Sequence, residues 1–312
     1  MTGAARLAMG PVLFNWPAGR WRDFYFRIAD EAPVEVVTVG EVVCAKRWPL
    51  FAPYLAEVTQ RLENAGKEVV HSTLALVLSE GEMGSVRATV ARPGVLVEAN
   101  DISTVALLSG GPYVVGPFVN VYNEGTLDHL ARRGAIRVVP PAELSAGALA
   151  VLARSGVEIE VQAFGRLPLA ISARCYHARA NGLRRDNCRF VCAGDPDGMA
   201  LETLDGDGFL AVNGPHTLSH AYCNLVGELD ALAGMGIGCF RLWPHSCDMV
   251  AVAHAFRDVL DGRADAREAM ARIAGLVGDA PFSNGFIHGG EGARFVSQGP
   301  LAAGVPEGPR GR

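Results

Sequence analysis

Nowhere in the 312 residues does an apolar run approach the roughly 20 residues that cross a bilayer. The first twenty residues also fail as a signal h-region, because Gly10, Pro11, Asn15 and Pro17 interrupt the stretch LAMGPVLFNWP. A cytoplasmic protein with no transmembrane segment is therefore expected. A cationic excess is missing too. Lys and Arg number 28 against 33 Asp and Glu, a net charge of −5 with His neutral, which argues against general nucleic-acid binding and leaves room for a local basic site. The glycine-rich pieces Ser109–Pro112 and Gly234–Gly238 do not form a G-x-G-x-x-G turn opening a helix, so no dinucleotide fold is implied. There is no C-x-x-C-H for haem. Neither a G-x-S-x-G elbow nor an H-E-x-x-H zinc pair occurs, so these residues do not support peptidase chemistry. No internal repeat is visible.

What is present is a globular composition. Apolar residues make up 49% of the chain, enough to offset the entropy of ordering it. β-rich runs recur at Pro11–Trp16, Val34–Gly40, Glu68–Val77, Val95–Asn100, Tyr113–Tyr122, Ala135–Val139, Val157–Phe164 and Gly238–Trp243. Helix candidates lie between them at Trp21–Glu31, Trp48–Gly66, Gly84–Arg92, Ser103–Leu108, Thr126–Arg133 and Glu143–Arg154. Gly66, Gly134 and Gly156 sit just past three of these, where a glycine ends a helix by taking positive φ. Eight strands separated by helices predict an α/β fold, a (β/α)8 TIM-barrel-like domain over residues 1–298, with a doubly wound open sheet as the alternative. The rhythm breaks near 167–233, so a cysteine-containing insertion is expected there, before the last strand. Within it Asp205-Gly206-Asp207-Gly208 reads as a hairpin turn. A calcium loop is the competing reading, but the later ligands and terminal Glu of an EF-hand are absent. The Gly/Pro-rich residues 299–312 read as a disordered tail.

Of seven cysteines, three fall within eighteen residues: Cys175, Cys188 and Cys192. Their neighbours are polar and basic (Arg174, Arg179, Arg184, Arg185, Asp186, Asn187, Arg189), a poor setting for buried apolar thiols. Such a setting predicts lowered thiol pKa values, and the thiolate is the form that binds metal. Cys188 and Cys192, four apart, are placed on one helix face. Cys44, just past the second strand and followed by Lys46 and Arg47, is the best fourth ligand, because the second and seventh strands of a barrel open on the same face. Four thiolates hold either zinc or an iron–sulfur cluster, and spacing leaves both open. Cys223, Cys239 and Cys247 lie in apolar or mixed runs and read as structural. Other polar residues have competing readings. His216 and His220 have ligand spacing for a helix, but His216 follows a turn and reads as a helix-start or packing histidine. His245 and His254 read as satisfied histidines of core or surface. Asn120, Tyr122, Asn123 and Asn213 either orient a small substrate or satisfy backbone groups at strand ends.

The segments GPVLFNWP, VGEVVCAKR, GKEVVHSTLALV, LVEANDISTV, NVYNEGTL, PPAELS, FGRLPLAISARCYHARANGLRRDNCRFVC, FLAVNGPHTLSHAYCNL, FRLWPHSCDM and SNGF together carry a resemblance over most of the chain, fading after about Gly289. The chain resembles the collagenase-like peptidase family, in its branch devoted to oxygen-independent ubiquinone biosynthesis. The resemblance implies a 4Fe-4S cluster on Cys44, Cys175, Cys188 and Cys192. It also implies a heterodimer with a UbiU-like protein, and a UbiT-like lipid-binding protein acting alongside. The implied activity is ring hydroxylation of prenylated quinone precursors without dioxygen. A non-catalytic cluster-bearing scaffold and an iron–sulfur RNA-base hydroxylation protein, as among other members, are the alternatives.

Overall fold

The computed structural model describes residues 5–297 and residue 301. Its parallel strands are β1 (Arg6–Met9), β2 (Val36–Gly40), β3 (Glu68–Ser72), β4 (Leu96–Ala99), β5 (Tyr113–Val115), β6 (Ala135–Val138) and the long β7 (Glu158–Ile171). After an excursion through β8 (Met199–Glu202), β9 (Gly208–Asn213) and β10 (His216–Asn224), β11 (Cys239–Leu242) completes the set, and the short β12 (Phe282–Ser283) pairs with β10. β11 pairs in parallel with both β1 and β7, Cys239 lying opposite Arg6 on one side and Glu160 on the other. That double pairing closes an eight-strand barrel surrounded by helices and excludes the open doubly wound sheet.

The first strand lies before its expected place. Pro11 has no N–H to give to a ladder, so pairing stops at Met9 and residues 11–16 cross the barrel mouth as a buried loop. Two other runs were read too long. β3 stops at Ser72 rather than Val77, and β5 stops at Val115, just before Gly116 and Pro117. The helix expected over Trp48–Gly66 is broken into Trp48–Phe51, a 3-10 turn at Ala52–Tyr54, and Leu55–Asn64. Pro53 cannot donate to the carbonyl four residues back, which accounts for the break. Gly66, Gly134 and Gly156 take the positive φ values expected of them, 76°, 109° and 81°. The Asp205–Gly208 turn joins β8 and β9 as an antiparallel hairpin, Leu201 facing Leu210. Beyond Phe164, β7 leaves the barrel and carries the chain outward, and β10 runs antiparallel to it, returning from opposite Ile171 to the barrel at Asn224, opposite Phe164. The expected tail, apart from Leu301, lies outside the described residues. Among the described residues no helix is long and apolar enough to cross a membrane.

Side chains alternate across a strand, and this alternation sets the barrel's contents. Ala8, Val36, Val70, Val114, Val139 and Cys239 form a closed apolar cluster. Residues two positions away on the same strands point the same way, and many are charged. Arg137 reaches Glu158 at 2.5 Å and Glu68 at 2.6 Å, while Arg6 bridges the same two carboxylates. Farther toward the mouth, Arg241 bonds Glu98 and Glu160, each at 2.5 Å, with all three side chains at most 1% exposed. Burial alone would raise the pKa of Glu98. The charge of Arg241 and bonds from Arg241, Asn100 and Ser72 overcome it and hold the carboxyl below its usual range. The mouth itself is stopped by an apolar plug. Leu13, Val42, Val43, Ala75 and Trp243 pack there with Phe118 and Ile171, all from segments that follow barrel strands or, for Ile171, end one.

Removing one partner of a buried ion pair strands the other's charge, at a cost of roughly 3–5 kcal/mol. Arg241→Met should lower the unfolding free energy by about that amount at pH 7 in urea titrations. Glu98 has a depressed folded pKa, so its stabilisation is present above the unfolded carboxylate pKa of about 4.3 and is lost as pH falls through the folded value. The difference between wild type and variant should therefore shrink below about pH 4. A constant difference from pH 7 to pH 3 would contradict the pairing.

Candidate functional site

Four segments converge above the plug. Cys44 ends the loop after β2 and precedes the 3-10 turn Ala45–Arg47. Glu41 shapes that loop: its Oε1 accepts from the N–H of Val43 at 2.7 Å and of Cys44 at 2.9 Å. Cys175 follows β7 and caps the short helix Tyr176–Ala180, its Sγ accepting from the Ala178 N–H at 3.4 Å. Cys188 closes the 3-10 turn Arg185–Asn187, and Cys192 lies in the next one, Val191–Gly194. All four cysteine residues line one pocket, together with Lys46, Arg47, His177 and Arg185. None of the four is in a disulfide.

Two sequence expectations need correction. Cys188 and Cys192 do not share a helix face, because Arg189 and Phe190 between them take left-handed φ values of 50° and 53°. That reversal splits the segment into two turns instead of one helix. The thiol pKa values are not uniformly lowered either. Burial pushes Cys44 up and outweighs the pull of Arg47; burial likewise raises Cys175, against a backbone N–H from Ala178.

Arg47 organises the pocket's inner wall. It is 1% exposed and donates to the Leu13 carbonyl and to Asn213 Oδ1, both at 2.8 Å. Burial opposes its charge, but Glu41, Cys192 and Cys44 more than restore it, so its pKa is raised. Its Nε is buried with no partner. Asn15 Nδ2 donates to Cys192 Sγ at 3.5 Å, and Lys46 Nζ holds the carbonyls of Arg185 and Asp186. His177 ties the outer segments together. Its Nδ1 accepts from the Gly214 N–H at 3.0 Å, so Nε2 carries the proton and donates to Asp195 at 2.7 Å. Sequence reading missed these roles of Glu41, Arg47, His177 and Asn15. The visible signal was the placing of Glu41 and Arg47 three residues either side of Cys44.

The other sequence candidates fall elsewhere. Cys223 and Cys239 are buried in the core, and Cys247 is half-buried against it, its thiol pushed up to about 12 by burial. His216 and His220 lie on β10, not on a helix. His216 packs against the Phe118 ring. His245 bonds the Trp243 carbonyl and the Arg166 N–H, and His254 bonds the Glu31 carbonyl. Asn123 caps the helix Glu124–Ala131, and Asn213 holds Arg47. Asn120 and Tyr122 line a separate cleft between the ends of β5 and β7.

The family model for peptidase family U32 matches residues 26–296. The chain belongs to this family. The match runs from the helix Ala18–Glu31 past β12, so it takes in all four cysteines and every barrel strand after β1.

The U32 chain should sort its thiols by depth. In metal-free native protein, iodoacetamide should modify Cys188 at least about tenfold faster than Cys223 or Cys239, which should react only on unfolding. Peptide mapping by mass spectrometry reads this directly. Early labelling of Cys239 would contradict its place inside the barrel.

Proposed function

We propose that this chain is the iron–sulfur subunit of an oxygen-independent hydroxylation system for ubiquinone biosynthesis, a UbiV-like protein working as a heterodimer with a UbiU-like partner. The observation that carries the reading is the gathering of Cys44, Cys175, Cys188 and Cys192 around a pocket backed by a buried arginine. The donor set suits a 4Fe-4S cluster. Four thiolates with four irons and four sulfides carry about two negative charges, and Arg47, with a spare buried N–H, stands ready to offset them. Four thiolates also suit zinc, whose Zn–S bonds of about 2.3 Å would draw the sulfurs to within about 3.8 Å of one another; the family resemblance is what favours the cluster.

When bound, the cluster would supply one-electron chemistry or a structural anchor. The chain's own residues do the rest. Glu41 sets the Cys44 loop, His177 joins the Cys175 helix to the Asp195 and Gly214 segments, and Arg47 and Lys46 bring positive charge to the thiols. The ubiquinone assignment rests on the resemblance of the ten quoted segments. A second reading, an RNA-base hydroxylation protein of the same family, is favoured by one observation: Arg174, Arg179, Arg184 and Arg189 are all exposed near the pocket.

Anaerobically purified protein should be brown and hold about four iron and four sulfide per chain. Ala at any one of the four ligand positions should remove most of the iron, whereas Cys223→Ala and Cys247→Ala should not. Deleting the gene should leave ubiquinone normal in air and cut it severely under anaerobic growth, with under-hydroxylated precursors accumulating. Normal anaerobic quinone together with a lost RNA hydroxylation would favour the second reading. Stoichiometric zinc without visible absorption would sink the cluster.

A further inference from the structure

A second cavity lies beside the thiol pocket, between the ends of β2 and β3 and the helix Glu80–Val90. It encloses about 230 Å³, below the roughly 300–1,000 Å³ of drug-sized sites and enough for one small ring. A helix covering a barrel should turn an apolar stripe toward the strands. This one instead places Ser85 and Thr89 at the cavity, and Arg92 follows on the same face at i+7. Val86 is the one residue of that helix that is buried. Trp48, Ser72, Thr73 and Leu74 line it from the barrel side.

Arg92 is what selects a ligand. Its guanidinium lines the cavity and donates to His71 Nδ1 at 3.1 Å. Guanidinium has no acceptor, so His71 takes that bond as a neutral ring. Burial and the charge of Arg92 pull the His71 pKa down to about 4, consistent with neutrality. A neutral ring does not balance the guanidinium, and among the described residues Arg92 makes no ion pair. Glu41 also borders the cavity, but its Oε1 is engaged by the Val43 and Cys44 N–H groups and its charge is set against the buried guanidinium of Arg47. A guanidinium without a carboxylate partner, in a small cavity whose lining also includes a tryptophan, matches a flat ring bearing an anion.

We propose that this cavity binds a small aromatic anion, a carboxylate or phosphate carried on a ring, with Arg92 holding the anion and Trp48 stacking on the ring. Thr89, one turn before Arg92, donates its hydroxyl to the Ser85 carbonyl at 3.1 Å and shapes the wall, leaving the anion to Arg92. The argument uses this cavity's own lining and does not depend on the iron–sulfur reading.

Trp48 supplies the readout. Titrating the full-length protein with benzoate and with phenylphosphate should give saturable quenching for at least one, and the stronger of the two identifies the head group. Neutral benzamide, and inorganic phosphate without a ring, should each bind at least tenfold more weakly. Quenching should vanish in Trp48→Phe while calorimetry still detects binding. Arg92→Gln should weaken binding at least tenfold, and Arg92→Lys should fall between. Ala88→Trp, at an exposed position on the cavity rim, should block entry without disturbing the core. Iron content should be the same in all these variants, which separates this test from that of the cluster. Overturning results are equal affinity for benzamide, an unchanged affinity in folded Arg92→Gln and Ala88→Trp, or no saturable binding of either probe.

Discussion

Arg241 lies between Glu98 and Glu160 inside a closed barrel, and the geometry of the mouth follows from that placement. Two carboxylates at this depth would be intolerable without it, since desolvation disfavours the charged form. Their positions are then linked across the barrel, from β4 through β11 to β7. Glu98 passes the constraint upward: its Oε1 accepts from Ser72 Oγ at 2.9 Å and from Asn100 Nδ2 at 3.0 Å. Asn100 also donates to the Thr73 carbonyl. Opposite it, Gly116 leaves room that any Cβ would take, because a side chain there would overlap the Asn100 amide. The ends of β3, β4 and β5 are thereby held in fixed relation to a charge in the interior.

Above this network the mouth is filled by the apolar plug, with Trp243 bonded to Gln162 at 3.0 Å beneath it. In many barrels the mouth is the reaction chamber. Here a plug occupies it, so the thiol pocket is raised above the barrel and needs support of its own. The outward extension of β7 with β10 and β9 provides it, delivering Cys175 from one strand end and Asn213 from another. Arg47 joins the levels. One nitrogen bonds the Leu13 carbonyl of the plug, and the other bonds Asn213 of the ribbon.

The fold class was legible because it rests on local signals: near-continuous apolar strands, helix-ending glycines and a repeating rhythm. The closing pair β7–β11 was not readable as such, since pairing between residues about eighty positions apart leaves no local mark. The loop after β1 was misread as a strand because apolar content marks burial, and a buried loop over a plugged mouth is as apolar as a strand. The gathering of Cys44 with Cys175, Cys188 and Cys192 was anticipated from polar surroundings and strand ends. The local geometry of the last two was not. Nothing in Arg189-Phe190 announces left-handed backbone, a conformation that neither residue type favours. The missed side chains share one property. Glu41, Arg47 and His177 are buried polar groups whose partners come from other segments, so their roles appear only when the chain is folded.

The segment from Glu41 to Trp48 borders both cavities. Cys44, Lys46 and Arg47 line the thiol pocket, while Ala45 and Trp48 line the Arg92 cavity, so the single 3-10 turn Ala45–Arg47 forms a wall between them. Glu41 anchors the start of this turn and also borders the Arg92 cavity. Pro49, directly after Trp48, opens the next helical turn with no N–H to lose. The turn is not the only link: Arg185 of the thiol pocket also pairs at 2.9 Å with Glu82 on the helix that walls the Arg92 cavity, so two contacts tie the two sites together.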